Sequence, residues 1–383
     1  MRLAVYTDYA YRRAGDGSVY ADRAFVKFVL EMERSLDKLV LLGRANPEPG
    51  RSHYKLPREV DFVPLPHYPS LNHPLQMLGA IPRSLTRFWK SLDDVDATWL
   101  LGPYLIAILF ALLARLRGKP VVLGVRQDLP QYVANRHPGR LPVLWAAIAL
   151  DKTFRALSRR LPVVVVGPDL AQSYRRACAL LPISVSLVTE KDLERQASIR
   201  RSYDGDLQIL SVGRLETEKN PLLLADVLVL LRKEDPRWRL VICGEGHLKE
   251  DIAARLAELG LQEFASLPGY VPIDGGLQEL YEQSHFLLHV AWAEGFPQTI
   301  VEAFGARLPV VATAVGGVSG GVGDAALLIP PGDPEAAAGA LRRLADDPAL
   351  RQRLTEAGLA VVRENTLERA SRRVVDFIAA SAG

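Results

Sequence analysis

The sequence predicts an α/β protein made of two doubly wound parallel-sheet domains, and three observations carry that prediction. Short runs rich in Val, Ile and Leu recur between helix-length amphipathic segments, the pattern of strands buried on both faces and joined by crossover helices. A charge-dense stretch begins near residue 190, and after it the same rhythm restarts. At 383 residues, the chain is also longer than one hydrophobic core usually organises.

In the first half, strands are expected at residues 3–7, 38–42, 60–64, 97–101, 121–125, 163–166 and 185–188. The run Val163-Val164-Val165-Val166-Gly167-Pro168 shows the logic. Four β-branched residues suit a buried strand, Gly-Pro stops it, and Asp169 is placed to start a helix. Residues 99–114 form the longest apolar stretch, broken by Gly102-Pro103 and shorter than the roughly 18 to 20 residues a spanning helix needs. They read as strand, turn and helix, although residues 105–110 followed by Arg115 and Arg117 also suit contact with a membrane surface. The second half repeats the pattern at 207–212, 240–243, 264–267, 286–290 and 310–313, with helices at 334–345, 348–362 and 367–380. The expected organisation is a first domain over 1–190, a linker over 191–206, a second domain over 207–366, and a C-terminal helix over 367–383 returning to the first domain.

Composition narrows the function. The chain is 49% hydrophobic and 24% charged, with 47 Lys and Arg against 44 Asp and Glu. The net charge of +3 is spread along the chain, so the basic stripe of a nucleic-acid binder is missing. Two cysteines, Cys178 and Cys243, cannot build a disulfide framework or a zinc cage, which fits a reducing cytoplasm. The opening Met1-Arg2-Leu3-Ala4-Val5-Tyr6-Thr7-Asp8 meets an acid too soon for an export signal. No His/Asp cluster has metal spacing, so no tightly bound metal or cofactor is expected.

In doubly wound sheets, ligands bind beyond the carboxyl ends of strands, and two such domains would face each other across a cleft. Residues directly after strands therefore come first. Ser211-Val212-Gly213-Arg214-Leu215-Glu216-Thr217-Glu218-Lys219-Asn220-Pro221 follows the first strand of the second half. Gly213 permits a sharp turn, and Arg214 and Lys219 on one loop could neutralise a departing diphosphate. Alternatively, both pair with Glu216 and Glu218 on a solvated loop. Ala293-Glu294-Gly295-Phe296-Pro297-Gln298-Thr299-Ile300-Val301-Glu302 follows a later strand. Gly295 lets backbone approach a ligand, Pro297 suits a first helical turn, and the N–H groups of Gln298, Thr299 and Ile300 would face an anion or hydroxyl. Glu294 and Glu302 could hold two separated polyhydroxyl groups of one ligand. The competing reading makes Glu294 a helix-dipole partner and Glu302 a solvated helix residue.

Together, Val212-Gly213-Arg214-Leu215 with Lys219, the E-x7-E frame of Glu294 and Glu302, and Val315-Gly316-Gly317 resemble the retaining glycosyltransferases of family four, which have the GT-B fold. The resemblance covers most of residues 207–341. It implies transfer of a sugar from a nucleotide diphosphate donor to an acceptor hydroxyl with retention, in glycan or glycolipid biosynthesis. By that resemblance Arg214 and Lys219 bind the diphosphate, Glu294 contacts the donor sugar, and Glu302 holds the ribose. The backbone around Gly295, Phe296, Pro297, Gln298 and Thr299 takes the sugar and phosphates. Gly244, in Cys243-Gly244-Glu245-Gly246-His247, would approach the base or diphosphate, and Tyr270 matches a base-contacting position, where a packing tyrosine is the alternative. Gly15 and Gly17 loosely match a Gly-rich loop near the donor phosphates.

The first domain should bind the acceptor, a sugar or a lipid-linked glycan, with peripheral contact at the membrane's inner face. Asp128, after the fifth strand, is the candidate for activating the acceptor hydroxyl, and a helix-capping Asp is the alternative. Relatives often carry His in that loop, and this chain lacks it. It also lacks the usual Asn-Gly-Val-Asp turn before the second domain and the Pro-Glu pair after Gly316-Gly317. His289 and Trp292 read as packing residues. A nucleotide-sugar-binding protein without activity and a GT-B-like epimerase are the rival readings. A pyridoxal-dependent phosphorylase is disfavoured, because no Lys follows Lys249.

Overall fold

The computed structural model describes residues 1–68, 74–136, 139–295 and 297–382. It divides into two units, one formed by Met1–Val185 with the C-terminal helix and one by Ser186–Thr366.

The strands of the first unit are β1 (Arg2–Arg13), β2 (Val19–Ala21), β3 (Lys38–Ala45), β4 (Tyr54–Lys55), β5 (Asp61–Leu65), β6 (Ala97–Gly102), β7 (Val121–Val125), β8 (Val163–Val166) and β9 (Leu180–Ile183). Its helices are α1 (Phe25–Met32), α2 (Pro74–Ser91), α3 (Leu105–Leu116), α4 (Leu129–Arg136), α5 (Leu141–Ser158) and α6 (Pro168–Ser173). The second unit has α7 (Glu190–Gln196), β10 (Leu207–Val212), α8 (Leu223–Glu234), β11 (Trp238–Cys243), α9 (Lys249–Glu258), β12 (Ala265–Gly269), α10 (Leu277–Gln283), β13 (Phe286–His289), α11 (Gln298–Gly305), β14 (Val310–Thr313), α12 (Gly317–Val322), β15 (Ala326–Ile329), α13 (Pro334–Asp346) and α14 (Pro348–Arg363). The last helix, α15 (Leu367–Ala382), packs against α1 of the first unit.

Both sheets are doubly wound. In the first, parallel pairing runs β5-β3-β1-β6-β7-β8-β9, and the direction of winding reverses between β1 and β6. In the second, the order β12-β11-β10-β13-β14-β15 reverses between β10 and β13. Alternation along each strand feeds a core on either face. Ile209, Leu240, Ile242, Phe286 and Leu288 pack with α8 and α13, whereas Leu210, Val241, Cys243 and Leu287 pack with α10 and α11.

Four expectations need correction. Residues 12–18 do not link a strand to a helix, because β1 runs on to Arg13 and turns back as β2, pairing Tyr11 with Ala21 and Arg13 with Val19. Gly15 and Gly17 therefore sit at an exposed hairpin tip, where Ala14 N–H donates to the Ser18 carbonyl at 2.8 Å. The strand expected at 185–188 lies earlier, at β9, since Val188 N–H is taken by the Ser186 hydroxyl at 3.0 Å instead of by a neighbouring strand. The stretch 191–206 is not a free linker. A capping box between Thr189 and Asp192 starts α7, and Arg201 donates to the carbonyls of Ser284, Tyr281 and Ala306 at 2.7, 3.0 and 2.8 Å. The charge density of that segment thus ties it into the second unit. Finally, the strand β15 was not anticipated, its four residues being too short to show a period.

The helix α11 carries most of the second motif and is held from behind by α14. A Cβ at Gly358 would fall 2.6 Å from the Phe304 ring. Replacing Gly358 with Val should therefore push the two helices apart, lowering unfolding free energy by about 1 to 3 kcal/mol, as read by urea denaturation.

Candidate functional site

The second sheet explains why residues 75 positions apart meet. Because β10 and β13 are hydrogen-bonded neighbours at the reversal of the strand order, the loops leaving their carboxyl ends emerge side by side. The β10 loop carries Arg214 and Lys219, and the β13 loop carries Glu294. Trp292 N–H donates to the Glu218 carbonyl at 2.9 Å and ties the two loops together. Lys219 then forms an ion pair with Glu294, with side chains 18% and 14% exposed.

Close backbone contacts hold this frame. A Cβ at Gly316 would lie 1.9 Å from the Glu294 carbonyl oxygen, and Gly317 N–H donates to that oxygen at 3.3 Å. The Val315-Gly316-Gly317 motif is thus the floor under the Glu294 loop. Likewise a Cβ at Gly244 would meet the Gly213 carbonyl at 1.7 Å, so the glycines of the two adjacent loops let the β10 and β11 ends nest. Gly295 is exposed, with open space around it. Phe296 lies outside the described residues. Pro297 occupies the N-cap position and α11 begins at Gln298, one residue later than expected. Ile300 N–H is spent on the Pro297 carbonyl at 3.2 Å, so of the three expected donors it is the one turned inward.

Burial, reinforced by Arg214, pushes Lys219 down to about 8, with Glu218 opposing; the Glu294 carboxylate also favours its charged form. His289, at the end of β13, is pushed down to about 3 by burial and by the Lys219 charge, and its Nε2 stands 3.8 Å from Glu294, beyond hydrogen-bond reach. That nitrogen, Asn220 Nδ2 and Gln298 Nε2 are buried without hydrogen-bond partners. Of these three, His289 is the one whose nitrogen stands near the ion pair, and buried polar atoms without partners are uncommon in an interior.

Arg214 bends back to Glu218 at 2.6 Å while staying partly exposed, and Glu216 pairs with His247 at 2.9 Å. One turn along α11, Glu302 is buried, and Tyr281 donates its hydroxyl to Oε2 at 2.9 Å. Burial raises the Glu302 carboxyl above its ordinary range, with the Tyr281 bond opposing. It lines a small cavity with Leu187, Ile273, Gln278 and Asp192, so it is not the solvated helix residue of the alternative reading. Tyr270 is 41% exposed beyond β12. Trp292 packs one side of its ring on Gly332, in line with its reading as a packing residue, while remaining 50% exposed.

The first unit has its own cluster at its strand-order reversal. Asp8, in the register irregularity of β1 between Tyr6 and Ala10, accepts from the hydroxyls of Tyr6, at 2.9 Å, and Tyr68. Arg44, from β3, lies 3.5 Å from the same carboxylate and donates to the Asp8 carbonyl at 2.7 Å. Burial raises the Asp8 carboxyl against these partners. Asp128 caps α4, its Oδ1 accepting from Gln131 N–H at 2.9 Å, with Arg155 at 3.9 Å. Asp8, Arg44, Tyr68 and Tyr281 escaped the sequence reading. For Asp8 the signal was an acid shortly after the apolar run 3–5 of the first strand.

Among the described residues no group of three or more His, Cys, Asp or Glu side chains could hold a metal ion, and no helix is long and apolar enough to cross a membrane.

Comparison with known proteins places this geometry. Residues 192–360 match the family model "Glycosyl transferases group 1". The chain is 30% identical over 169 residues to O-antigen chain mannosyltransferase B of Escherichia coli, covering 44% of each chain. It is 25% identical over 266 residues to alpha-D-kanosaminyltransferase of Streptomyces kanamyceticus, covering 64% of this chain and 66% of that one. The matches thus span less than two thirds of these relatives' own length. The fold extends further: sucrose-phosphate synthase from Thermosynechococcus elongatus superposes with a TM-score of 0.71 at 17% identity, covering 99% of this chain and 98% of that one.

A buried carboxyl whose folded pKa is raised binds its proton more tightly in the folded state, so its contribution to stability is full below the unfolded value and fades as pH rises. Glu302→Gln should therefore gain stability relative to the parent as pH rises above the ordinary glutamate range, seen as a growing difference in urea midpoint.

Proposed function

We propose, from a chain whose second unit is a group 1 glycosyl transferase domain on a GT-B fold, that this protein transfers a sugar from a nucleotide diphosphate donor to an acceptor hydroxyl with retention at the anomeric carbon. The observation that carries the proposal is the largely buried Lys219–Glu294 pair at the carboxyl edge of β10 and β13, with the unsatisfied His289 Nε2 3.8 Å from Glu294. Breaking the bond between sugar and diphosphate puts negative charge on the leaving group. In this reading Lys219 and Arg214 receive that charge, together with the uncapped N-terminus of α11. Arg214 is available because its ion pair with Glu218 is exposed enough to exchange for a phosphate. Glu294, released from Lys219 by the incoming diphosphate, accepts hydrogen bonds from sugar hydroxyls, and Glu302 accepts them from the ribose. His289 stays neutral and can donate or accept toward the sugar.

The first unit takes the acceptor, either a free sugar or a lipid-linked glycan. We assign peripheral membrane contact to the exposed apolar side chains Leu141 and Trp145 of α5, 61% and 67% exposed, beside the exposed Arg140 and Lys152. The α3 segment is the weaker choice, because Ile106, Phe110 and Ala114 face the core.

Incubation with labelled nucleotide sugars tests the proposal: product must form and keep the donor's anomeric configuration. Nucleotide binding without transfer or slow donor hydrolysis would identify a binding protein instead. Glu294→Gln and Lys219→Ala should each lower kcat/KM by about 10²- to 10³-fold with unchanged circular dichroism. Loss of the Lys219 proton near pH 8 should weaken nucleoside diphosphate binding as pH rises from 7.5 to 9.5, and Lys219→Arg should flatten that dependence, as measured by calorimetry.

A further inference from the structure

In the first unit one arginine is out of place. Arg126 directly follows β7 at the carboxyl edge of the sheet, and its guanidinium carbon lies 3.6 Å from the centre of the Phe25 ring and 5.7 Å from that of Tyr9. Its Nε is buried without a hydrogen-bond partner, and among the described residues no acid pairs with it. Asp128, two residues on, is engaged at the α4 cap and with Arg155. Burial alone, with no opposing carboxylate, pushes Arg126 down to about 9.

Other enclosed arginines of this chain show what a structural role looks like. Arg201 ties down three carbonyls, and Arg44 is held by Asp8 and by the carbonyls of Asp8 and Tyr68. Arg126 has only ring faces. A half-buried cation without a counter-charge is costly, and a planar guanidinium stacked on an aromatic ring keeps its edge open for a bidentate oxyanion. Phe25 is also the first residue of α1, whose N-terminus has no side-chain cap and no acid in its first turn. The positive end of that helix therefore favours an anion near the same ring.

We propose that Arg126 is the receptor for an oxyanion on the acceptor, so that the substrate of the first unit is an acidic sugar carrying a phosphate ester or a carboxylate. This names the acceptor class within the transfer reaction proposed above and rests on that reading only for the word acceptor.

Thermal shift and calorimetry on the full chain test it with four probes: glucose 6-phosphate, glucuronate, glucose and UDP. At least one anionic sugar should bind about tenfold or more tightly than glucose, and which one binds distinguishes phosphate from carboxylate. Arg126→Met should abolish that preference while keeping the UDP response, and its Tm without ligand should equal or exceed the parent's, since the unpaired charge is gone. Arg126→Lys, which keeps the charge but loses the fork, should retain only part of the preference. Lys219→Ala should do the reverse, losing UDP and keeping the anionic sugar. A missing UDP response with an intact anion preference would sink the donor reading alone. Equal affinity for glucose and both anions overturns the assignment of Arg126. So does loss of UDP binding in Arg126→Met, which would make it a diphosphate contact, or a marked fall in that variant's Tm, which would make it structural.

Discussion

Everything at the candidate centre depends on β10 and β13 being neighbours. Parallel strands can be joined only by crossovers, so β10 first winds outward through β11 and β12 and the chain then returns to lay β13 on its other side. At that reversal the loops leaving the two strands emerge side by side. Lys219 and Glu294 pair between them, and the contact of Gly316 with the Glu294 carbonyl and the Trp292 bond to Glu218 keep the loops in register. A slip of one strand would turn Leu287 toward the face of Leu288 and pull both loops apart.

The same geometry explains what was legible in the sequence and what was not. Val163–Val166 was readable because a continuous β-branched run bounded by Gly has few other fates, and Leu207–Val212 because its apolar residues run up to Gly213. Arg214, Lys219, Glu294 and Glu302 stood out through joint spacing along the chain. The β1–β2 hairpin hid because its second strand is three residues long and its turn resembles a strand-to-helix loop. The segment 191–206 misled because charge was taken for solvation, whereas Arg201 spends its charge on buried carbonyls. Tyr281 and Asp8 gained meaning only from pairing across the fold, and local spacing carries no record of that.

Charge kept away from water recurs in both units and links stability to function. Glu302 keeps one hydroxyl partner, Lys219 one carboxylate, and Arg126 no polar partner among the described residues. An interior selected for stability alone would replace such groups with apolar residues of similar volume, often with a gain. Sites that must greet a charged or hydroxylated ligand retain them and are less stable for it.

The two reversals also differ in what they hold. In the second unit the paired groups are of opposite charge, so an incoming anion that takes the place of Glu294 would leave no bare cation. In the first, Asp8 is already satisfied by two tyrosine hydroxyls and by Arg44, which makes that network rigid and poorly suited to exchange. The polarity available to a newcomer is instead displaced outward along the sheet to β7, where Arg126 rests on an aromatic ring. A ring offers a cation attraction without an anion's competition, so the guanidinium stays oriented and open at once. The first unit thus separates a fixed scaffold at its centre from a recognition group two strands away.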